Sequence, residues 1–133
     1  PDVSVWANPD QLKQVLINVI MNSIESMEAK IASGASAPLH LAISVHADDG
    51  VGRIVVEDEG QGMPGDLLKK CADPFFTTKS TGTGLGLALC KQYIQENGGT
   101  LTIQSVEGCS TTVTIALNLV QANELMLQSA YSG

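Results

Sequence analysis

Gln11-Leu12-Lys13-Gln14-Val15-Leu16-Ile17-Asn18-Val19-Ile20-Met21-Asn22-Ser23-Ile24-Glu25 is the stretch whose reading decides the fold. At about 100° per residue, Leu12, Val15, Leu16, Val19, Ile20, Ile24 and Met27 collect on one side of a helix, and Gln11, Gln14, Asn18, Asn22 and Glu25 on the other. Such a helix buries one face and turns a row of amides and a carboxyl toward something polar. Asparagine is a poor helix former, and a plain solvated face is more naturally built from Lys and Glu. Two asparagines one turn apart therefore point to a ligand-facing row.

Working outward, Val3 and Val5 suggest an edge strand, with Trp6 packed on the core. Asn8 can cap the helix, with Pro9 at its first position and Gln11 three residues after the cap. The helix runs to about Ala32 and ends in the loop Ser33-Gly34-Ala35-Ser36-Ala37-Pro38. Leu39, Leu41, Ile43 and Val45 then alternate with His40, Ala42, Ser44 and His46 as a half-buried strand, the histidines toward solvent. Asp48-Asp49-Gly50 is a turn, and Arg53 to Asp58 completes a hairpin. Residues 64–84 carry one short helix at most, around Asp66 to Cys71, and are otherwise loop-like. A loop of that length inside a compact domain is usually functional. A second helix opens near Gly84-Leu85-Gly86, uses Leu85, Leu89 and Tyr93 as apolar contacts, and stops at Asn97-Gly98-Gly99. Thr100 to Val106 and Thr111 to Leu117 form a second hairpin, and from Asn118 the pattern fades into a tail. The order helix, hairpin, loop, helix, hairpin predicts an α+β fold, a two-layer sandwich with helices on one face of a mixed β-sheet.

Composition narrows the function. At 133 residues the chain makes one domain with a real core. Fourteen acidic against seven basic side chains leave a net charge of -7, which argues against nucleic-acid binding. No apolar run approaches a membrane span, so no membrane contact is expected of this stretch. Cys71, Cys90 and Cys109 are scattered, with no C-x-x-C pair; small buried thiols in a reducing cytosol are expected. Pro1 in place of Met leads us to expect a segment of a longer chain.

Three further strings carry chemistry. Gly82-Thr83-Gly84-Leu85-Gly86 at a helix start lets backbone N–H groups approach an anion. It has neither the Lys-Ser/Thr of a Walker loop nor the Rossmann spacing. Asp58 at a strand end, followed by Gly60 and Gly62, offers a carboxylate acceptor with room for a flat ring beside it. Lys79, in the long loop, supplies a cation. Each string alone is weak. Together with the amide row they provide what a magnesium nucleotide needs: side-chain oxygens for the metal, an acceptor for adenine, and donors for phosphates.

At these residues the chain resembles the sensor histidine kinases. Asn18-x-x-x-Asn22 is similar to their N box and Asp58-x-Gly60-x-Gly62 to their G1 box. Phe75-Phe76-Thr77-Thr78-Lys79 is similar to the F box, and Gly82-Thr83-Gly84-Leu85-Gly86-Leu87 to the G2 box. The resemblance runs from about Asn8 to Leu117, with 118–133 left as tail, and implies the Bergerat ATP-binding fold. Carried over by match, Asn22 coordinates Mg2+ and Asn18 supports the phosphates or metal shell. Asp58 contacts adenine beside Gly60 and Gly62, and Lys79 reaches toward phosphate. Gly82, Thr83, Gly84, Leu85 and Gly86 line the phosphate path, with Thr112 expected at the nucleotide from the last strand. The segment between Gly62 and Gly82 would be the ATP lid, and its Thr77-Thr78-Lys79 resembles the nitrogen-regulation type. Departures are Ala72 and Asp73 before Pro74-Phe75-Phe76, Asn97 before two glycines, and Ser110 where a glycine is frequent.

The resemblance implies transfer of the γ-phosphoryl of ATP to a histidine on a separate dimerisation domain, expected upstream of Pro1. Onward transfer would go to a response regulator receiver domain, the parent being a cytoplasmic or membrane-anchored homodimer. His40 and His46 lie in no helix and are not read as acceptors. The hydrolytic members of the superfamily resemble one another in a Glu four residues before the magnesium Asn. Here Asn18 stands there and cannot act as a base near neutral pH. An ATPase machine of the same fold, or a degenerate kinase serving as an interaction module, are the alternatives.

Overall fold

The computed structural model describes residues 4–36, 38–62 and 86–120. Its elements follow in the order α1 (Pro9–Ala32), β1 (Leu41–Asp48), β2 (Val51–Asp58), α2 (Leu87–Glu96), β3 (Thr100–Val106) and β4 (Ser110–Asn118).

Local chemistry sets the start of α1. Asn8 is extended and its side-chain oxygen accepts from the Gln11 amide at 3.1 Å, with Pro9 following as the first helical residue. The return half of the capping box comes from another helix. Asn97, the C-cap of α2, accepts the Asn8 amide at 2.7 Å through Oδ1, and its Nδ2 donates to Gln11 Oε1 at 2.9 Å and to the Tyr93 carbonyl at 2.6 Å. One side chain thus ties the beginning of α1 to the end of α2. Asn97→Ala removes all three bonds at once. It should lower stability by about 2 kcal/mol, roughly 8 °C in Tm for a domain of this size, as read by thermal denaturation.

The four strands lie in the order β1-β2-β4-β3. Asp49 and Gly50 both have positive φ, 52° and 75°, the signature of the tight turn that closes β1 on β2. β2 and β3 run in the same direction but do not pair, because β4 is inserted between them. This split β-α-β arrangement makes every pairing among the described strands antiparallel, not mixed as the sequence suggested.

Both helices cover one face of the sheet. Val15 and Val19 of α1 and Cys90 and Ile94 of α2 meet Val56, Leu101, Val113, Ile115 and Leu117 in a single buried cluster. The buried stripe of α2 therefore runs through Cys90 and Ile94, with Leu87 and Tyr93 half-buried against it; of the expected apolar contacts, Tyr93 packs on the core, Leu89 is half-buried and Leu85 lies outside the described residues. Burial pushes the Cys90 thiol up to about 11, so it stays protonated. Cys109, in contrast with the expectation of buried thiols, is exposed on the β3–β4 turn. Cys71 lies outside the described residues.

Two further expectations need correction. Ile43 and Val45 share the helix-side face with Val56 and Ile54, yet stay 51% and 53% exposed, because β1 is the edge strand and the helices pack over the other three. Trp6 is 39% exposed and not a core residue. The lead-in does pair, as expected: Val5 bridges Leu119, the Trp6 amide donates to the Asn118 carbonyl, and the Val120 amide donates to Ser4. Residues 118–120 therefore extend the sheet. No helix among the described residues is long and apolar enough to cross a membrane.

Candidate functional site

The polar row of α1 does not stand opposite its apolar face. Asn22 comes seven residues after Val15 and Ser26 seven after Val19, two helical turns in each case, so both lie along the stripe that packs on the sheet. Asn18 is 1% exposed and its Nδ2 donates to the Gln14 carbonyl one turn back, at 2.8 Å. Asn22 and Ser26 are half-buried. Asn18, Asn22 and Ser26 therefore run down the seam between helix and sheet, while Lys13, Gln14, Ile17 and Met21 are exposed.

Across that seam β2 ends in Asp58, 2% exposed. The chain then turns sharply, and the turn is held from several sides. Asp58 Oδ1 accepts from the Gly60 amide at 2.8 Å. Ser26 Oγ, on α1, accepts from the Gln61 amide at 2.9 Å. The Gln61 carbonyl accepts from the Gly108 amide in the β3–β4 turn. On the outer side, Lys30 Nζ donates to the Glu59 carbonyl at 3.1 Å, while Glu59 Oε1 receives both the backbone amide and Nδ1 of His40 at 2.7 Å. The His40 bonds hold the Glu59 carboxyl below the usual carboxylate range. His40, expected on the solvent side, is indeed exposed, but it serves as this outer clasp.

Glycine is required at both turn positions, for different reasons. A Cβ at Gly60 would collide with Ser26 Oγ and lie 2.7 Å from Asp58 Oδ1. Gly62 has φ +66°, and a Cβ there would collide with the Val106 carbonyl oxygen. The result is a buried carboxylate beside a stretch of bare backbone, with an asparagine amide on the neighbouring helix.

Residues opposed across the sheet share a face, and the register corrects one expectation. Thr112 opposes Glu57 on the outer face, where its Oγ1 donates to Glu57 Oε2 at 3.3 Å. Thr111 is the one beside Asp58, and Ser105 next to it bonds Thr111 Oγ1 at 3.0 Å. The inner face thus ends in a row of Asp58, Thr111 and Ser105, which strand alternation counted back from Asp58 could have found. Ser110, standing where a glycine is frequent, is not among the described non-glycine residues of positive φ, so the side chain is accommodated; the glycine conformation falls on Gly108, at φ +80°. Gly86 caps α2 with extended backbone and open space around it. Lys79, Gly82, Thr83, Gly84 and Leu85 lie outside the described residues.

No group of three or more His, Cys, Asp or Glu side chains among the described residues could hold a metal by itself. Magnesium characteristically takes only one or two protein ligands and completes its shell with water and substrate phosphates. A single asparagine amide oxygen fits that habit better than it fits zinc or calcium, which take more protein ligands.

Comparison with known proteins agrees with this geometry. Residues 7–121 match the family described as histidine kinase-, DNA gyrase B-, and HSP90-like ATPase. The sensor histidine kinase ZraS of Escherichia coli (strain K12) is 39% identical over 115 residues, 85% of this chain and 23% of ZraS. Sporulation kinase E of Bacillus subtilis (strain 168) is 39% identical over 120 residues, 90% of this chain and 15% of that kinase. This chain therefore spans less than a quarter of either relative. The catalytic domain of histidine kinase ThkA, in a nucleotide-free form, superposes with a TM-score of 0.69 at 30% identity, over 84% of this chain and 68% of that one. With the same fold over most of its length and a family match across both ends of the site, the chain belongs to the histidine kinase-, DNA gyrase B- and HSP90-like ATPases, as an ATP-binding catalytic domain of the histidine kinase kind.

Proposed function

We propose that the chain binds ATP with Mg2+ at the seam between α1 and the end of β2. From there it delivers the γ-phosphoryl group to a histidine on a separate dimerisation domain of the same protein, for onward transfer to a response regulator receiver. The observation that carries the reading is the buried Asp58 with its turn already bonded in place. A carboxylate held in a low-dielectric seam is an acceptor suited to the exocyclic amine of adenine, and the bare backbone of Gly60 and Gly62 admits the ring. Asn22 supplies an amide oxygen to Mg2+, which when bound neutralises phosphate charge. Asn18, packed beneath, keeps that stretch of α1 in register. Lys79 and the Gly82-Thr83-Gly84-Leu85-Gly86 backbone receive the phosphates, the last at the N-terminus of α2. Thr111, not Thr112, is the β4 residue at the base end.

Catalysis on this side is positioning and charge stabilisation, with the acceptor imidazole as nucleophile. Asn18 provides no carboxylate to activate water, so the chain holds ATP without rapidly hydrolysing it. The test combines the chain with γ-labelled ATP, with and without a separately produced dimerisation domain of the parent. Label should pass to the histidine domain, and phosphate release by the chain alone should stay near background. Rapid phosphate release without the partner would favour an ATPase; absence of nucleotide binding by the folded chain would favour an interaction module.

A further inference from the structure

Ser26 has no part in the motifs that point to ATP, yet its hydroxyl reaches the Gly60–Gly62 turn from the inner side. We propose that Ser26 is a positioning residue for nucleotide binding. Its hydroxyl, by accepting the Gln61 amide, fixes the turn on α1 and so holds the adenine end and the metal end of the site at a set spacing. The inference rests on the reading of Asp58 and Asn22 given above.

Three features carry it. Ser26 follows Asn22 by one turn on the same seam, so a bond from it to the turn links the element holding Asn22 to the one holding Asp58. Its Oγ and Asp58 Oδ1 crowd the same side of Gly60, and they accept the amides of Gln61 and Gly60, two consecutive donors of one turn. Of the other attachments, Lys30, also on α1, and His40 hold Glu59 from outside, and Gly108 binds the Gln61 carbonyl from the β3–β4 turn. These act on Glu59 and on the Gln61 carbonyl, whereas Ser26 holds the Gln61 amide on the inner wall, beside Gly60. Losing the Ser26 hydroxyl leaves the Gln61 N–H without its acceptor. The inner side of the turn then loosens from α1 while the outer attachments through Lys30, His40 and Gly108 persist.

The test uses the whole chain, unaltered, as Ser26→Ala, and as Ser26→Thr, which restores a hydroxyl. Calorimetric titration with MgATP and with adenosine should show Ser26→Ala weaker by about tenfold for both ligands, since the turn serves the base that they share. Ser26→Thr should recover most of that loss. Without any ligand, exchange of the Gln61 amide proton should quicken in Ser26→Ala and be slow again in Ser26→Thr. A merely structural serine would lower Tm and leave the affinity of the folded protein unchanged. Affinities within twofold of the unaltered chain, or a loss confined to ATP and absent for adenosine, would overturn the proposal. Failure of the unaltered chain to bind MgATP would instead overturn the reading of the site, while the exchange measurement still tests the bond itself.

Discussion

Asp58→Asn should leave the chain folded and weaken MgATP binding by roughly 30- to 150-fold, about 2–3 kcal/mol. Asparagine has the size of aspartate and keeps one oxygen, which can continue to accept the Gly60 amide now bonded to Asp58 Oδ1 at 2.8 Å. The attachments through Ser26, Lys30, His40 and Gly108 are untouched, so the turn survives. What changes is the polarity presented to the base. With its oxygen engaged by Gly60, the new side chain turns an NH2 toward the adenine amine, and two donors then face each other in a seam where Asp58 is 2% exposed. The same argument predicts a gain. Inosine triphosphate carries a carbonyl oxygen where ATP carries the amine, so the asparagine NH2 has a partner. The preference for ATP over inosine triphosphate should fall by at least about tenfold in the variant, one hydrogen bond's difference. Calorimetry with both nucleotides decides it. An equal loss for both would mean that Asp58 acts on the fold and not on the base.

How far the site can be read without coordinates varies by residue, for physical reasons. Local signals are legible where the chemistry is local. Asn8-Pro9 starts α1 and the Asp48-Asp49-Gly50 string makes the β1–β2 turn, because caps and left-handed residues are decided within a few positions. The sharp turn after Asp58, with Gly60 and Gly62, was legible for the same reason. The direction of the α1 polar row was not. Sorting residues by polarity put Asn18 and Asn22 opposite the core, whereas helical geometry puts Asn22 above Val15 and the row at the edge of the buried stripe. A site at a helix–sheet seam needs polar groups on the packed side, so polarity and burial part company just where function lies. Alternation likewise says which face Ile43 and Val45 take but not how far the helices extend over it, and these two residues lie past that limit. Thr112 lies on the face away from Asp58 and Thr111 beside it, since one residue along a strand is a change of face. Ser26 left no trace at all, since a lone serine in a helix has no pattern, and only its distance to Gln61 gives it a role.

Gly62→Ala carries the largest expected effect on stability, and its cost separates into two parts that a second variant can divide. Gly62 sits at φ +66°, where an L-residue is disfavoured by about 1–2 kcal/mol. Gly108, in the β3–β4 turn that faces it, has φ +80° and nothing within 4 Å of an added Cβ, so Gly108→Ala measures that conformational part alone. At Gly62 the added carbon would also collide with the Val106 carbonyl oxygen, lie 2.8 Å from its carbon and 3.1 Å from Glu107 Cα. These are backbone atoms at the end of β3, in a strand paired to β4 from Val106↔Ser110 onward, and they cannot turn aside as a side-chain tip would. Overpacking of this kind adds about 1–3 kcal/mol. The sum, about 2–5 kcal/mol, is a large share of the 5–15 kcal/mol typical of a whole domain. Denaturant titration should therefore rank Gly62→Ala well below Gly108→Ala, itself slightly below the unaltered chain. The two should also differ in binding. Relief of the collision must push the Gly60–Gly62 turn away from the β3–β4 turn, against the Gly108 bond to the Gln61 carbonyl, and so toward or past Ser26. MgATP affinity should fall in the fraction of Gly62→Ala that remains folded and stay unchanged in Gly108→Ala. Equal stability losses in the two variants would mean that the turns are not in contact, and that the turn carrying Asp58 is free of the β3–β4 hairpin.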